Sequence, residues 1–252
     1  MFPERTIFGE KMGILDNIAS AAQAGTDQEE RVSSGGSGFS ESGIHMGVIK
    51  MAKVMEASSG AVGIAIEIET EDKKTARITE WIQSGDAKGN KTTYTDKDGN
   101  EVNLPGMTKI KNLNFLLTGV FGLPSSEEKE IKEYDWDLKQ EVSVRKDVVV
   151  PWLNRPIGFC IMMTMEDKYQ DEANFTTKQI VEHFFDPVTD QFGSEKINSK
   201  PSEMKQKFLD FIEKTPIKDK RKKSKGATTE GGATTNTPAA GNAGSTTNAG
   251  FG

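Results

Sequence analysis

The chain is nearly without cysteine. Cys160 is the single thiol among 252 residues, which excludes an intrachain disulfide and a multi-thiolate metal site. Histidine is almost as scarce. His45 and His183 stand far apart, so no paired-His metal spacing exists. No run of about 18 apolar residues occurs, which excludes a membrane-spanning helix. Met1–Gly13 lacks the basic-then-apolar order of a secretory leader. A phosphate-binding Gly-Lys-Thr loop is missing as well. Lys91-Thr92 follows Gly89-Asn90, but the upstream glycine and the strand–turn–helix setting are wrong. Glu67 and Glu69 alternate onto one strand face, as in a metal-dependent nuclease, yet no third ligand is marked. A solvated strand edge is the simpler reading, and Cys160 within PIGFCIMM reads as a small buried apolar residue. We therefore expect a cytoplasmic protein that is not an enzyme and needs no cofactor or metal.

What is present is segregated charge. The formal net charge is −6. Lys218–Lys225 (KDKRKKSK) carries six basic side chains against Asp219, and residues 226–252 carry only Glu230. The body, residues 1–217, thus holds ten net negative charges. The basic stretch is either a solvated charge run or a phosphate-contacting arm formed by Lys220, Arg221, Lys222 and Lys223.

The pattern divides the chain into four parts. Residues 1–40 form a flexible N-terminal segment with a short helix over Met12–Ala24, ending in the linker-like Ser33–Gly38. Residues 41–217 form the folded domain, 218–225 the basic hinge, and 226–252 a tail rich in Gly, Ala, Thr and Asn. That tail has nothing to bury and should be disordered. Phe251 near its end is either incidental or a partner-docking anchor.

Within the body, Gly43–Glu56 reads as a strand, with Val48, Lys50, Ala52 and Val54 on one face. Ser58-Ser59-Gly60 turns the chain. In Ala61–Thr70, Val62, Ile64, Ile66 and Ile68 alternate cleanly with small or acidic residues, the mark of a half-buried strand. Gly63 and Ala65 on its other face leave room for a ligand. A hairpin at Glu71–Lys74 leads to a third strand, Thr75–Gln83. Thr92–Thr95 forms a short strand near the Asp98-Gly99 turn. Thr108–Thr118 predicts a helix capped by Thr108 and stopped by Gly119. Further strands are expected at Trp136–Val144, Pro156–Glu166 and Thr176–Phe185. A terminal amphipathic helix, Ser202–Lys214, has Ser202 as cap and Met204, Phe208, Leu209 and Ile212 as its stripe. Early hairpins without βαβ alternation argue for a mainly β, α+β protein. The economical form is an antiparallel five-stranded OB-fold-like barrel with an inserted helix and a C-terminal helix.

One strand mixes aromatic and cation. Arg77 and Trp81 project opposite Ile78 and Ile82, with Lys73 and Lys74 just before and Lys88, Lys91 and Tyr94 just after. Single-stranded nucleic acid is bound this way, by a basic groove along the phosphates and rings stacked on bases. The alternative is that Trp81 packs under the Gly85–Gly99 loop and the lysines face solvent.

The chain resembles phage-encoded single-stranded DNA-binding proteins of short-tailed viruses. The resemblance rests on Gly43–Met51 with Lys50-Met51-Ala52, on Val62–Ile68, on Arg77–Ile82, and on Leu104-Pro105-Gly106-Met107-Thr108. Leu113–Gly119, Lys178–Pro187, the basic stretch and the tail ending in Phe251-Gly252 complete it. Ser125–Val149 matches least. The resemblance implies an OB-fold protein that coats and protects single-stranded DNA in the host cytoplasm during phage replication, recombination and repair. It carries the family's aromatic-plus-basic strand onto Arg77 and Trp81, and it implies phage replication or recombination enzymes as partners of the tail. The alternative is a structural or adaptor virion protein whose barrel binds other proteins.

Overall fold

The computed structural model describes Leu15, Ile18 and residues 39–135, 138–168 and 171–221. The rest of the Met12–Ala24 helix, Trp136, Lys222, Lys223, the 226–252 tail and Phe251 lie outside the described residues. Leu15 and Ile18 are helical and buried in the main core.

Among the described residues ten strands form in chain order: β1 (Gly43–Glu56), β2 (Val62–Thr70), β3 (Thr75–Gln83), β4 (Thr93–Thr95), β5 (Glu101–Asn103), β6 (Glu127–Asp135), β7 (Gln140–Val148), β8 (Pro156–Lys168), β9 (Asp171–Phe185) and β10 (Ile217–Asp219). Helix α1 (Pro105–Thr118) follows β5, and α2 (Gly193–Ile197) and α3 (Met204–Lys214) follow β9. Eight strands make one sheet, mostly antiparallel, running β10-β8-β1-β2-β3 with β9 on β8 and the β6–β7 hairpin on β1. β4 and β5 form a separate pair. The class is α+β, as the pattern predicts. The hydrogen-bonded path among the described strands forms one eight-stranded sheet and does not close, where the sequence reading expects a five-stranded barrel.

Strand β1 corrects a simple alternation. A register shift between Ile49 and Met51 against β2 leaves Lys50 as the extra residue. Ile49, Ala52 and Val54 consequently all face the core, while Lys50 turns outward to Glu69 at 3.6 Å. A bulge of this kind bends the strand. It lets β1 pair with β8 through Gly43–Val48 and meet β7 at Lys53.

β8 is buried on both faces, which is why its sequence is apolar without alternation. Phe159 and Ile161 enter the main core with β1, β2, β3 and α1. Cys160 and Met162 enter a second cluster with Phe185, Phe192 and Phe208, beneath α2 and α3.

Several helix and strand boundaries differ from expectation: β7 spans Gln140–Val148 where the sequence reading expects Trp136–Val144, and β9 starts at Asp171 rather than Thr176. Helix α1 begins at Pro105, a residue whose fixed φ and missing N–H suit the first turn. Thr108 is therefore inside the helix and buried rather than its cap. Gly119 does stop the helix, at φ 77°, donating its N–H to Phe115 O. Helix α3 starts at Met204, not Ser202. Its cap comes from elsewhere in the chain: Glu195 Oε1 accepts from the N–H groups of Glu203 and Met204 at 2.8 and 2.7 Å. Positive helix-end charge suits that carboxylate. Phe208 is buried while Leu209 is 37% exposed, so the apolar stripe is narrower than read. The folded body also runs past residue 217, because β10 adds Lys218 and Asp219 to the sheet in parallel with β8.

The packing of His45 carries a pH dependence. Its ring lies 4.5 Å from Phe39 and 5.7 Å from Phe159, and Nε2 is buried without a hydrogen-bond partner. Burial, reinforced by Lys74, lowers its pKa below 6.5. The folded state thus favours the neutral ring. This contribution is fully present above the unfolded pKa and is lost as pH falls toward the folded one. Thermal melts should show stability declining as pH falls below about 7, and His45→Phe should flatten that decline. Asp72, held at about 2 by hydrogen bonds from Lys74 and Thr70, acts in a separate window. Its contribution is lost only as pH falls from the ordinary carboxylate range through about 2.

Candidate functional site

The outer face of β1–β2–β3 is set by strand register. Met51, Lys53 and Met55 on β1 stand beside Glu67, Ala65 and Gly63 on β2. These in turn face Arg77, Thr79 and Trp81 on β3. The middle strand offers only small side chains at two of three positions, so the face is hollowed between taller flanks. The resulting groove has a volume of about 390 Å³. Trp81 is 41% exposed, and a Cβ on Gly63 would come within 2.9 Å of its ring edge. The indole therefore lies across Gly63 with one side open.

Its backbone is held from beneath. A Cβ on Gly106 would sit 2.3 Å from Trp81 O, so only glycine lets the start of α1 approach β3 this closely. Next in sequence, Glu80 faces inward and is 1% exposed. Lys109 of α1, fully buried, donates from Nζ to Glu80 Oε1 at 2.7 Å and to Val181 O of β9 at 3.0 Å. The helix thus ties β3 to β9 where no strand ladder joins them. The alternation of Thr75–Gln83 singles out Trp81 but gives no sign of this buried pair. Lysine is a poor guess for a core position.

The cations of this face are paired with carboxylates. Arg77 Nε donates to Glu67 Oε2 at 2.7 Å, and Lys53 pairs with Glu133 of the β6–β7 hairpin. At the β2–β3 turn, Lys73 reaches Glu69 at 3.0 Å and Lys74 reaches Asp72 at 2.8 Å. The Lys73 contact, chiefly its hydrogen bond, holds the Glu69 carboxyl below its ordinary pKa. Lys53 and its hairpin partner escaped the sequence reading, since β6 (EEKEIKEYD) has few strand-forming residues.

A second cleft of about 500 Å³ lies beyond Trp81. Lys88 lines it, and Lys88 and Lys91 make no ion pair with a described residue. Tyr94 stands on β4 opposite Val102, half-buried. Arg77, Trp81 and Lys88 are therefore brought to adjoining grooves, while Lys73 and Lys74 edge the strand turn. Lys220 and Arg221 are placed elsewhere. Lys220 Nζ lies 3.9 Å from Glu166 of β8. Arg221 bonds Asp219 through two nitrogens and lies 5.3 Å from the Phe175 ring. The start of the basic stretch is thus docked on the β8–β9–β10 end of the sheet, not free as a hinge.

Among the described residues, no group of three His, Cys, Asp or Glu side chains is placed to hold a metal. Glu67 and Glu69 are occupied by Arg77, Lys50 and Lys73. No helix of the described residues is long and apolar enough to cross a membrane. No family model matches the chain, and neither a curated protein nor a solved structure matches it.

Proposed function

We propose that the protein is a non-catalytic single-stranded DNA-binding protein of the OB-fold kind, serving phage DNA replication, recombination and repair. The observation that carries this reading is the half-open indole of Trp81 over Gly63, in a preformed groove that Arg77 also lines. A flat ring with one side open is a stacking platform for any base, and such platforms tolerate sequence. The strand order supports the fold assignment. β1 lies between β2 and β8, β9 follows β8, and α1 bridges β9 to β3 at the position a closing seam would occupy.

The test is a titration of fluorescent oligonucleotides, single-stranded and duplex, across a salt series. Single strands should be preferred, because a paired base has no free face for Trp81. Affinity should fall as salt rises, with a slope of about −0.7 per neutralised phosphate. Equal affinity for both forms would overturn the reading. Salt-independent capture of protein partners in place of DNA would favour an adaptor role.

A further inference from the structure

We propose that the cleft beyond Trp81 is a second nucleobase site, so that one DNA strand crosses the indole from the outer groove into this cleft. The inference rests on the single-strand reading above. The two hollows share Trp81 as a common wall. Ala61, Ala87, Leu104 and Pro105 give the second an apolar lining, with Ser59, Glu80, Gln83, Ser84 and Lys88 as its polar groups, Glu80 being paired with Lys109. Its volume of about 500 Å³ is within the range of small-ligand sites. An apolar slot closed on one side by an indole suits the flat face of a base. Lys88, without an ion pair among the described residues, suits the phosphate that follows.

The walls are already fixed. Asp86 N–H donates to Ser59 O at 2.7 Å, tying the short helical turn at Asp86–Lys88 to the β1–β2 turn. Asn90 Nδ2 donates to Asp86 Oδ1 at 3.0 Å, and Lys91 N–H donates to Ser84 Oγ at 2.8 Å. A base entering here meets a formed cleft and pays little for ordering it.

Ala87 is exposed on the rim, so Ala87→Phe fills the cleft without disturbing the core. Affinities of the full chain are measured for oligothymidylates of about four and about twelve nucleotides, lengths within the range of about 4–16 nucleotides that one OB fold occupies. On the long oligonucleotide, Ala87→Phe should bind about tenfold more weakly than the unsubstituted protein, the worth of one lost stacked base. On the short one, confined to the outer groove, the two should be equal. Lys88→Ala should lower the salt slope by about 0.7 on the long oligonucleotide alone.

The proposal is overturned if both variants bind the long oligonucleotide as the unsubstituted protein does while Trp81→Ala is impaired. It is also overturned if Ala87→Phe weakens both lengths equally. Should the unsubstituted protein bind neither length, the single-strand reading itself falls.

Discussion

Replacing Lys109 by methionine is expected to destabilise the fold by about 3–5 kcal/mol, the usual result of leaving one member of a buried ion pair uncompensated. Methionine keeps most of the stem volume, so the loss is electrostatic rather than a cavity. Glu80, 1% exposed, loses the ammonium 2.7 Å away. Val181 O loses a donor at 3.0 Å. The double variant Lys109→Met with Glu80→Leu should recover most of the loss, because apolar replacement of both partners is often neutral. Urea unfolding of the four proteins closes the double-mutant cycle and isolates the coupling. A single-variant loss below about 1 kcal/mol would show that the pair is not sealed from water.

Trp81→Ala should weaken single-strand binding by about 1–3 kcal/mol, or roughly 5–150-fold, with little change in the melting temperature. The contrast follows from geometry. The ring is 41% exposed and rests on Gly63, so its removal opens a surface rather than the core. Trp152 behaves oppositely. It is fully buried and donates from Nε1 to Asn114 Oδ1 at 2.9 Å, so its fluorescence should report unfolding rather than binding. If Trp81→Ala melts far below the unsubstituted protein while surviving molecules bind normally, the indole is a structural cover and the stacking role is wrong.

Period-two alternation placed β2 and β3 correctly, because each has one face on the core and one in solvent. The same rule failed on β1, where the Lys50 bulge inverts the faces midway, and bulges leave no mark in a hydropathy pattern. It failed on β6 for another reason. Glu127–Asp135 is a strand only because β7 pairs with it residue by residue, a long-range cause that overrides weak local propensity. Helix α3 shows a third limit: its cap, Glu195, belongs to another element. At the site, Arg77 and Trp81 were legible as one face of one strand. The hollow between them and Met51, Met55 and Lys53 was not, since it depends on which β1 residues sit opposite Gly63 and Ala65. The basic run misled in part: Lys218 and Asp219 complete a strand, and Lys220 and Arg221 are spoken for by local acids.

The cations of β1–β3 named above arrive with tethered anions: Glu67 for Arg77, Glu133 for Lys53, and Glu69 shared by Lys50 and Lys73. Such a surface works like an ion exchanger loaded at synthesis. A visiting anion must displace a carboxylate that cannot diffuse away and that then repels it at close range. A monovalent anion making one contact gains nothing by the exchange. A chain of phosphates spaced to meet several cations replaces several carboxylates in a single event and divides the entropic cost of arrival among them. On the single-strand reading proposed above, such a face would favour visitors by valence and spacing over single small anions.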